Sequence, residues 1–394
     1  MGSHAILSPS SASRWLTCTP SARLEQQFPD RSGAAASEGT LAHSLGELLI
    51  SHKTKRILNK HYKTALAEIK ANSQFEDAMF DYMDEYATYV VEQYAKAQAH
   101  TKDAILFLEQ KLNLTDYVPE GFGTGDVVII ADGVMDIIDL KYGKGVPVYA
   151  EDNKQMKLYS LGALREFDYM YDIQVVRMTI YQPRIDNIST FEISVGELHH
   201  WAENELKPLA VLAFAGAGEF VPGEACRFCK AAAICVANAD YNLEIAKYEF
   251  QDGALLSDEA VSDILTRSKL FTTWLNAVEE HAQHEAVVNG KKWPGYKLVE
   301  GRSNRVYLDE AKVAEVLLAQ GLKEDNIYSP RKVLGITAME KELGKSDFAT
   351  YLSSLVIKPA GKPTLAPVTD KRPEYNSNEG AAADFAEVVN EDLM

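Results

Sequence analysis

The chain has 394 residues, 46% of them hydrophobic and 25% charged, with a net charge of −17. That length and composition allow a full hydrophobic core in one or two domains and exclude disorder as the default. The acidic balance excludes a protein that coats nucleic acid non-specifically, since phosphate binding depends on a basic footprint, but it leaves room for an enzyme that holds nucleic acid through a metal.

Taken in chain order, Ser8-Pro9-Ser10-Ser11 predicts a helix start with serine at the cap and proline in the first turn. That short helix carries Arg14, Trp15 and Cys18 and ends near Pro20. A loop over 29–37 leads to a helix beginning near Ser37-Glu38, where Leu41, Leu45, Leu48 and Leu49 form the apolar stripe and His43 lies off its centre. Residues 74–98 predict a long helix whose aromatic stripe reads as core. Residues 104–112 (AILFLEQKL) predict a strand carrying Glu109. Two further strands, Val127–Ile130 and Val134–Ile138, flank Asp132-Gly133, the strongest short-range signal for a hairpin. A helix over 153–167 follows, then strands over 174–182 and 189–194, and a helix over 196–215. Residues 240–290 read as helical, 296–308 as a strand or hairpin, and 309–354 as mostly helical. From Val356 the chain turns rich in Pro, Ala, Gly and acids, and little order is expected. No internal repeat is visible. The expected architecture is a mixed α/β core with the acidic strands central, over 1–240, then a helical domain over 241–355 and an acidic tail over 356–394.

The hairpin carries the chemistry. With Asp132 and Gly133 as its two loop residues, Ala131 opposes Val134 and Asp126 opposes Asp139. Directly opposed side chains have Cβ atoms roughly 4.5–5.5 Å apart, and two carboxylates that close repel unless a cation sits between them. Lys141, two residues beyond Asp139, projects from the same face. Asp136 falls on the opposite face and Asp132 in the turn. Gln155 and Tyr159 stand at i and i+4 of the following helix, on one side of it. Acids that merely cap strands on a solvated surface would not need strongly apolar flanks and a lysine in register. Asp126 and Asp139 therefore suit Mg²⁺ or Mn²⁺ at a phosphodiester-hydrolysing site, with Lys141 positioning or deprotonating the nucleophile or stabilising the transition state.

The four cysteines are Cys18, Cys226, Cys229 and Cys235. Three lie within ten residues, a clustering that reads as metal binding before disulfides in an intracellular protein. Four thiolates suit an iron–sulfur cluster, and tetrahedral Zn²⁺ is chemically acceptable as well. The basic stretch Lys291, Lys292, Lys297, Arg302 and Arg305, interleaved with Trp293 and Tyr296, can follow a DNA strand or form a solvated loop with packed aromatics.

EGTLAH with His43, LEQKL with Glu109, GTGD with Asp126, DLK with Asp139 and Lys141, and QMKLY with Gln155 and Tyr159 occur in that order along about 200 residues. In this the chain resembles the PD-(D/E)xK superfamily, with its restriction-endonuclease-like fold, and within it the RecB-like exonucleases. The residue before Asp126 is glycine rather than the proline of the superfamily name, as in much of the RecB-like branch. The resemblance implies His43, Asp126 and Asp139 as metal ligands, Lys141 as the catalytic lysine, and Gln155 and Tyr159 as DNA-contacting or site-ordering residues. Glu109 is implied at most as a support.

Cys18 with Cys226-x2-Cys229-x5-Cys235 is similar to the iron–sulfur staple of AddB-type and CRISPR-associated nucleases of this kind. A [4Fe–4S] cluster would tie the two ends of the domain together. The full set is similar to nucleases of phage and prophage recombination modules, which implies DNA as substrate and a phage recombinase or single-strand-binding protein as partner. Two rival readings are a structure-specific endonuclease or nickase, and a DNA-binding assembly factor that keeps the fold without hydrolysis. No run of about 18 apolar residues occurs, and the opening MGSH is followed by no apolar signal-peptide core. The expected setting is therefore the cytoplasm of a bacterial host cell.

Overall fold

A computed structural model of the chain describes residues 5–29, 34–245, 256–299, 312, 318–319, 344–352 and 355. Helices α1 (Ala12–Thr17) and α2 (Ser21–Leu24) precede three longer ones, α3 (Ala34–Lys53), α4 (Asn59–Lys70) and α5 (Asp77–His100). Strands β1 (Ile105–Asn113), β2 (Phe122–Ala131) and β3 (Val134–Leu140) follow, then α6 (Lys154–Tyr171), β4 (Val175–Gln182) and β5 (Asn187–Ser194). After these come α7 (Val195–Trp201), α8 (Lys207–Ala215), α9 (Val236–Leu243) and α10 (Asp258–Val288). The chain divides into two compact units, Met1–Arg302 and Ser303–Met394. Every element just named belongs to the first; in the second, a helix Lys345–Leu352 is described.

The strands form one five-stranded mixed sheet in sequence order. β3 and β4 pair in parallel, with α6 as the connection that a parallel pair requires, and the other neighbours pair antiparallel. Alternation along the strands sends successive side chains to opposite faces. Val127, Ile129, Ile138 and Leu140 pack with Leu41, Leu45, Met83, Tyr86 and Val90 of α3 and α5. Val128, Ile130, Ile137, Val176 and Met178 pack on the other face with Met156, Leu158 and Leu161 of α6. The sheet is thus the middle of three layers, and both faces of β2 and β3 are dry.

The hairpin forms where Asp132-Gly133 predicts it. Gly133 takes φ +77°, which suits glycine, and Ala131 pairs with Val134. The turn is held further by the Thr101 hydroxyl, which accepts from Asp132 N at 3.0 Å. Helix α6 starts where the Asn153 side chain accepts from Met156 N, and α7 starts on a capping box between Ser194 and Glu197.

Several boundaries differ from expectation. Helix α3 begins at Ala34 rather than near Ser37. The helix expected over 196–215 is split by a π turn over Ala202–Leu206, just before Pro208, which has no N–H to give the preceding turn. Ser8 makes no side-chain cap; the chain enters α1 through a 3-10 turn, and the Ser8 carbonyl instead accepts from Trp15 Nε1 at 3.0 Å. Residues 296–299 are described without a strand. The rest of the strand expected over 296–308, most of the helices expected over 309–354, and the acidic tail lie outside the described residues.

Candidate functional site

The β2–β3 ladder runs in the expected register, with Val127 opposite Ile138 as its last pair. One step further, where Asp126 meets Asp139, the carboxylate replaces the backbone: Asp126 Oδ2 accepts from Leu140 N at 2.7 Å. On the other side of β2, Leu108 pairs with Val127 and Gln110 with Gly125, which places Glu109 opposite Asp126. Glu109, Asp126 and Asp139 therefore stand in one row across three adjacent strands. Glu109 holds φ +47°, a left-handed conformation that costs a non-glycine residue roughly 1–2 kcal/mol. Strain of this kind persists only where the surroundings enforce it, and it collects at functional sites.

At one end of the row is His43 of α3. Its Nδ1 lies 3.4 Å from Asp126 Oδ1 and 3.9 Å from Glu109 Oε1. Burial alone would lower its pKa, but bonding to Asp126 and Glu109 overrides that and raises it to about 10. An imidazolium thus stands between the acids, the position a cation would take. Among the described residues, His43, Glu109 and Asp126 form the one group of three whose ligand atoms all lie within 4.8 Å of one another. Glu47, one turn beyond His43, lines the same cleft.

At the other end, Asp139 is almost wholly buried, and its Oδ2 lies 2.9 Å from Lys141 Nζ without hydrogen-bond alignment. Lys141 Nζ donates to Gln155 Oε1 at 2.9 Å, while Gln155 Nε2 donates to Asp139 Oδ1 at 3.2 Å and to the Tyr159 hydroxyl at 3.0 Å. Burial raises Asp139 to about 6, with Lys141 opposing and Asp126 adding to the shift. Burial works against charge on Lys141, yet Asp139 outweighs it and the lysine pKa rises. Tyr159 is pushed upward by burial and by Asp139, so it stays protonated. Its ring reaches the row because Gly123 has no side chain: a Cβ there would sit 2.6 Å from Pro9 Cγ and 3.0 Å from Tyr159 Cε1.

The residues expected at the site thus converge, with a different division of labour. The tightest group of candidate ligand atoms is His43, Glu109 and Asp126, and Asp139 contacts Lys141 and Gln155. Glu109 had been expected as no more than a support. Asp136 lies on the far face as expected, 3.0 Å from Arg177 Nη1.

All four cysteines, with Arg14 and Ser21, line one cavity. All four are free thiols, and none forms a disulfide. Direct bonds also join the N-terminal helices to residues 214–230: Thr19 Oγ1 donates to Ala217 O at 2.6 Å, Arg23 Nε to Phe214 O at 2.6 Å, and Lys230 N to Glu25 Oε1 at 2.8 Å. Burial pushes the Cys229 thiol up to about 12 and raises Cys226 as well, so all-thiolate ligation needs a cationic group to hold. Zn–S bonds of about 2.3 Å put tetrahedral sulfurs about 3.8 Å apart. The cysteine sulfurs do not form such a tight group, although they share one cavity. Four thiols around one cavity are a donor set that suits either zinc or an iron–sulfur group. Of the basic stretch, Trp293 is taken up by packing: its Nε1 donates to Ala282 O at 2.9 Å on α10, while Tyr296 is exposed. Arg302 and Arg305 lie outside the described residues. Among the described residues, no helix is long and apolar enough to cross a membrane.

The chain belongs to the family described as "Protein of unknown function (DUF2800)", whose model matches residues 4–373. Among solved structures it is similar to the one described as "Crystal structure of SSO0001". Identity is 14% over 56% of this chain and 95% of that one, with a TM-score of 0.22. At that score the likeness fixes neither fold nor role.

Proposed function

We propose that this member of the DUF2800 family is a Mg²⁺- or Mn²⁺-dependent DNA exonuclease of the RecB-like, PD-(D/E)xK kind, with a [4Fe–4S] cluster on Cys18, Cys226, Cys229 and Cys235. The observation that carries the reading is the row Glu109–Asp126–Asp139 across three strands, with His43 at one end and Lys141–Gln155–Tyr159 at the other. Two full charges in place of a metal, the His43 imidazolium and the Lys141 ammonium, offset acids that would otherwise repel.

His43, Glu109 and Asp126 would hold the divalent ion. When bound, it supplies positive charge to the scissile phosphate and lowers the pKa of a water. His43 must give up its proton to serve as a ligand. Asp139 and Gln155 fix the Lys141 ammonium from two sides, so its charge is preorganised toward the phosphate oxygens, where negative charge develops. The raised Lys141 pKa, set by Asp139, suits the lysine to stabilise charge. Tyr159 accepts from Gln155 and keeps the amide turned so that its oxygen faces Lys141. The cysteine group closes the domain; its role in this reading is structural.

The test is digestion of end-labelled linear duplex and single strands with Mn²⁺, beside closed circular DNA. Mononucleotides released from the linear forms, with circles intact, are the expected result. Circles cut as readily as linear DNA would make the protein an endonuclease or nickase, and metal-loaded protein that leaves every form intact would make it a binding factor. A phage recombinase or single-strand-binding protein as partner is tested by co-purification with the intact chain.

A further inference from the structure

Thr19 and Ser21 stand on either side of Pro20, just after Cys18, and their hydroxyls have different fates. The Thr19 hydroxyl is spent on Ala217 O. The Ser21 hydroxyl is buried with no hydrogen-bond partner, and the residue is 2% exposed. A buried hydroxyl without a partner is rare and costs roughly 1–3 kcal/mol. Ser21 lines the cavity that holds all four cysteines. On the same wall is Arg14, whose Nε donates to Glu25 Oε2 at 2.8 Å, while Glu25 Oε1 takes Lys230 N–H from the cysteine loop. Glu25 therefore anchors both the guanidinium and the segment between Cys229 and Cys235.

We propose that the Ser21 hydroxyl donates a hydrogen bond to a sulfur of the cysteine-held cluster and thereby raises its reduction potential and shields it from oxidation. The inference rests on reading the four cysteines as iron–sulfur ligands. Thiolate and sulfide sulfurs carry negative charge and accept hydrogen bonds, and such bonds favour the more negative reduced state. The cluster supplies what the Ser21 hydroxyl lacks in the bare chain. Ser21 is a positioning and tuning residue here, with no part in DNA hydrolysis.

The experiment is a spectroelectrochemical titration of the full chain, purified without oxygen, for the wild type, Ser21→Ala and Ser21→Thr, with iron, sulfide and zinc measured on each sample. The wild type should be brown, with about four irons per chain. Ser21→Ala should keep its iron, shift its midpoint potential to more negative values and bleach faster in air. Ser21→Thr, which retains the hydroxyl, should return toward the wild-type potential. A Ser21→Ala protein with wild-type potential and bleaching rate would overturn the inference while leaving the cluster reading intact. A colourless wild type with stoichiometric zinc would instead overturn the cluster reading itself. If Ser21→Ala binds less iron, the potential of Ser21→Thr decides: a wild-type value supports the hydroxyl's role, and a shifted one refutes it.

Discussion

The row of acids and the cysteine cavity solve the problem of burying reactive groups in opposite ways. The acids stand on regular strands, and two neighbouring cations already balance them: His43 beside Asp126 and Glu109, and Lys141 beside Asp139. The cysteines stand on short helices and loops between α1 and α9, with the Cys226 and Cys229 thiols pushed up by burial and an unpartnered Ser21 hydroxyl nearby. The first site is preorganised before any ligand arrives. The second is closed by backbone and side-chain stitches but leaves a buried hydroxyl without a partner, so a cluster held there, as proposed, would contribute to folding. A change at the first should cost function with little stability, and a change at the second the reverse.

Asp126→Asn should give the largest effect. The amide still accepts from Leu140 N, so the fold holds, while Mn²⁺ affinity and DNA hydrolysis fall by at least about a hundredfold. Isothermal calorimetry and a nuclease assay measure both, and a variant that binds Mn²⁺ normally would dissolve the ligand group. Cys235→Ser should instead lose iron and destabilise by about 2–4 kcal/mol, lowering Tm by several degrees with the melt followed by circular dichroism. An unchanged Tm would erase the contrast between the two regions.

How much of this was legible in the sequence depends on what pins each register. Asp132-Gly133 and unbroken apolar runs fix the β2–β3 pairing, so the placing of Asp126, Asp139 and Lys141 follows from residue types alone. The β1–β2 connection over 114–121 carries no such signature, and the place of Glu109 beside Asp126 was not readable for that reason. Leu114 N donates to Gly121 O at 3.0 Å to close that connection. Counting back from it puts Glu109 opposite Asp126. The left-handed backbone at Glu109 leaves no mark in the composition. Helix α4 was missed as well, although Tyr62, Leu66 and Ile69 of NKHYKTALAEIK stand at helical spacing and pack, partly buried, against the α3–α5 core. The cysteine spacing pointed to a shared site, and the structure adds Arg14, Ser21 and Glu25, none of which belongs to a motif.

Acidity separates the two regions further. Without metal, the His43 imidazolium stabilises the fold below its ordinary pKa of about 6.5, and that contribution is lost as pH rises through about 10. A divalent ion must displace this proton, so Mn²⁺ affinity should rise about tenfold per pH unit between about pH 7 and 9. Calorimetry in buffers of different ionisation enthalpy should show about one proton released per ion. No proton release would mean that His43 is not a ligand. The smallest effect is expected at Gly133→Ala: nothing lies within 4 Å of the new methyl, but φ +77° penalises it by about 1 kcal/mol. Hydrolysis and colour should be unchanged, and a larger loss would mean that the hairpin turn does more than set register.

DNA hydrolysis at the acid row with help from Lys141 is the proposed activity. Its most direct test is Mn²⁺-dependent release of nucleotides from end-labelled linear duplex by the wild type and by Lys141→Ala at matched metal content. Steady release by the wild type and a loss of roughly 10²–10³-fold in the variant, with Mn²⁺ binding retained, are expected. Equal rates in the two proteins, or intact DNA with fully metal-loaded wild type, would contradict it.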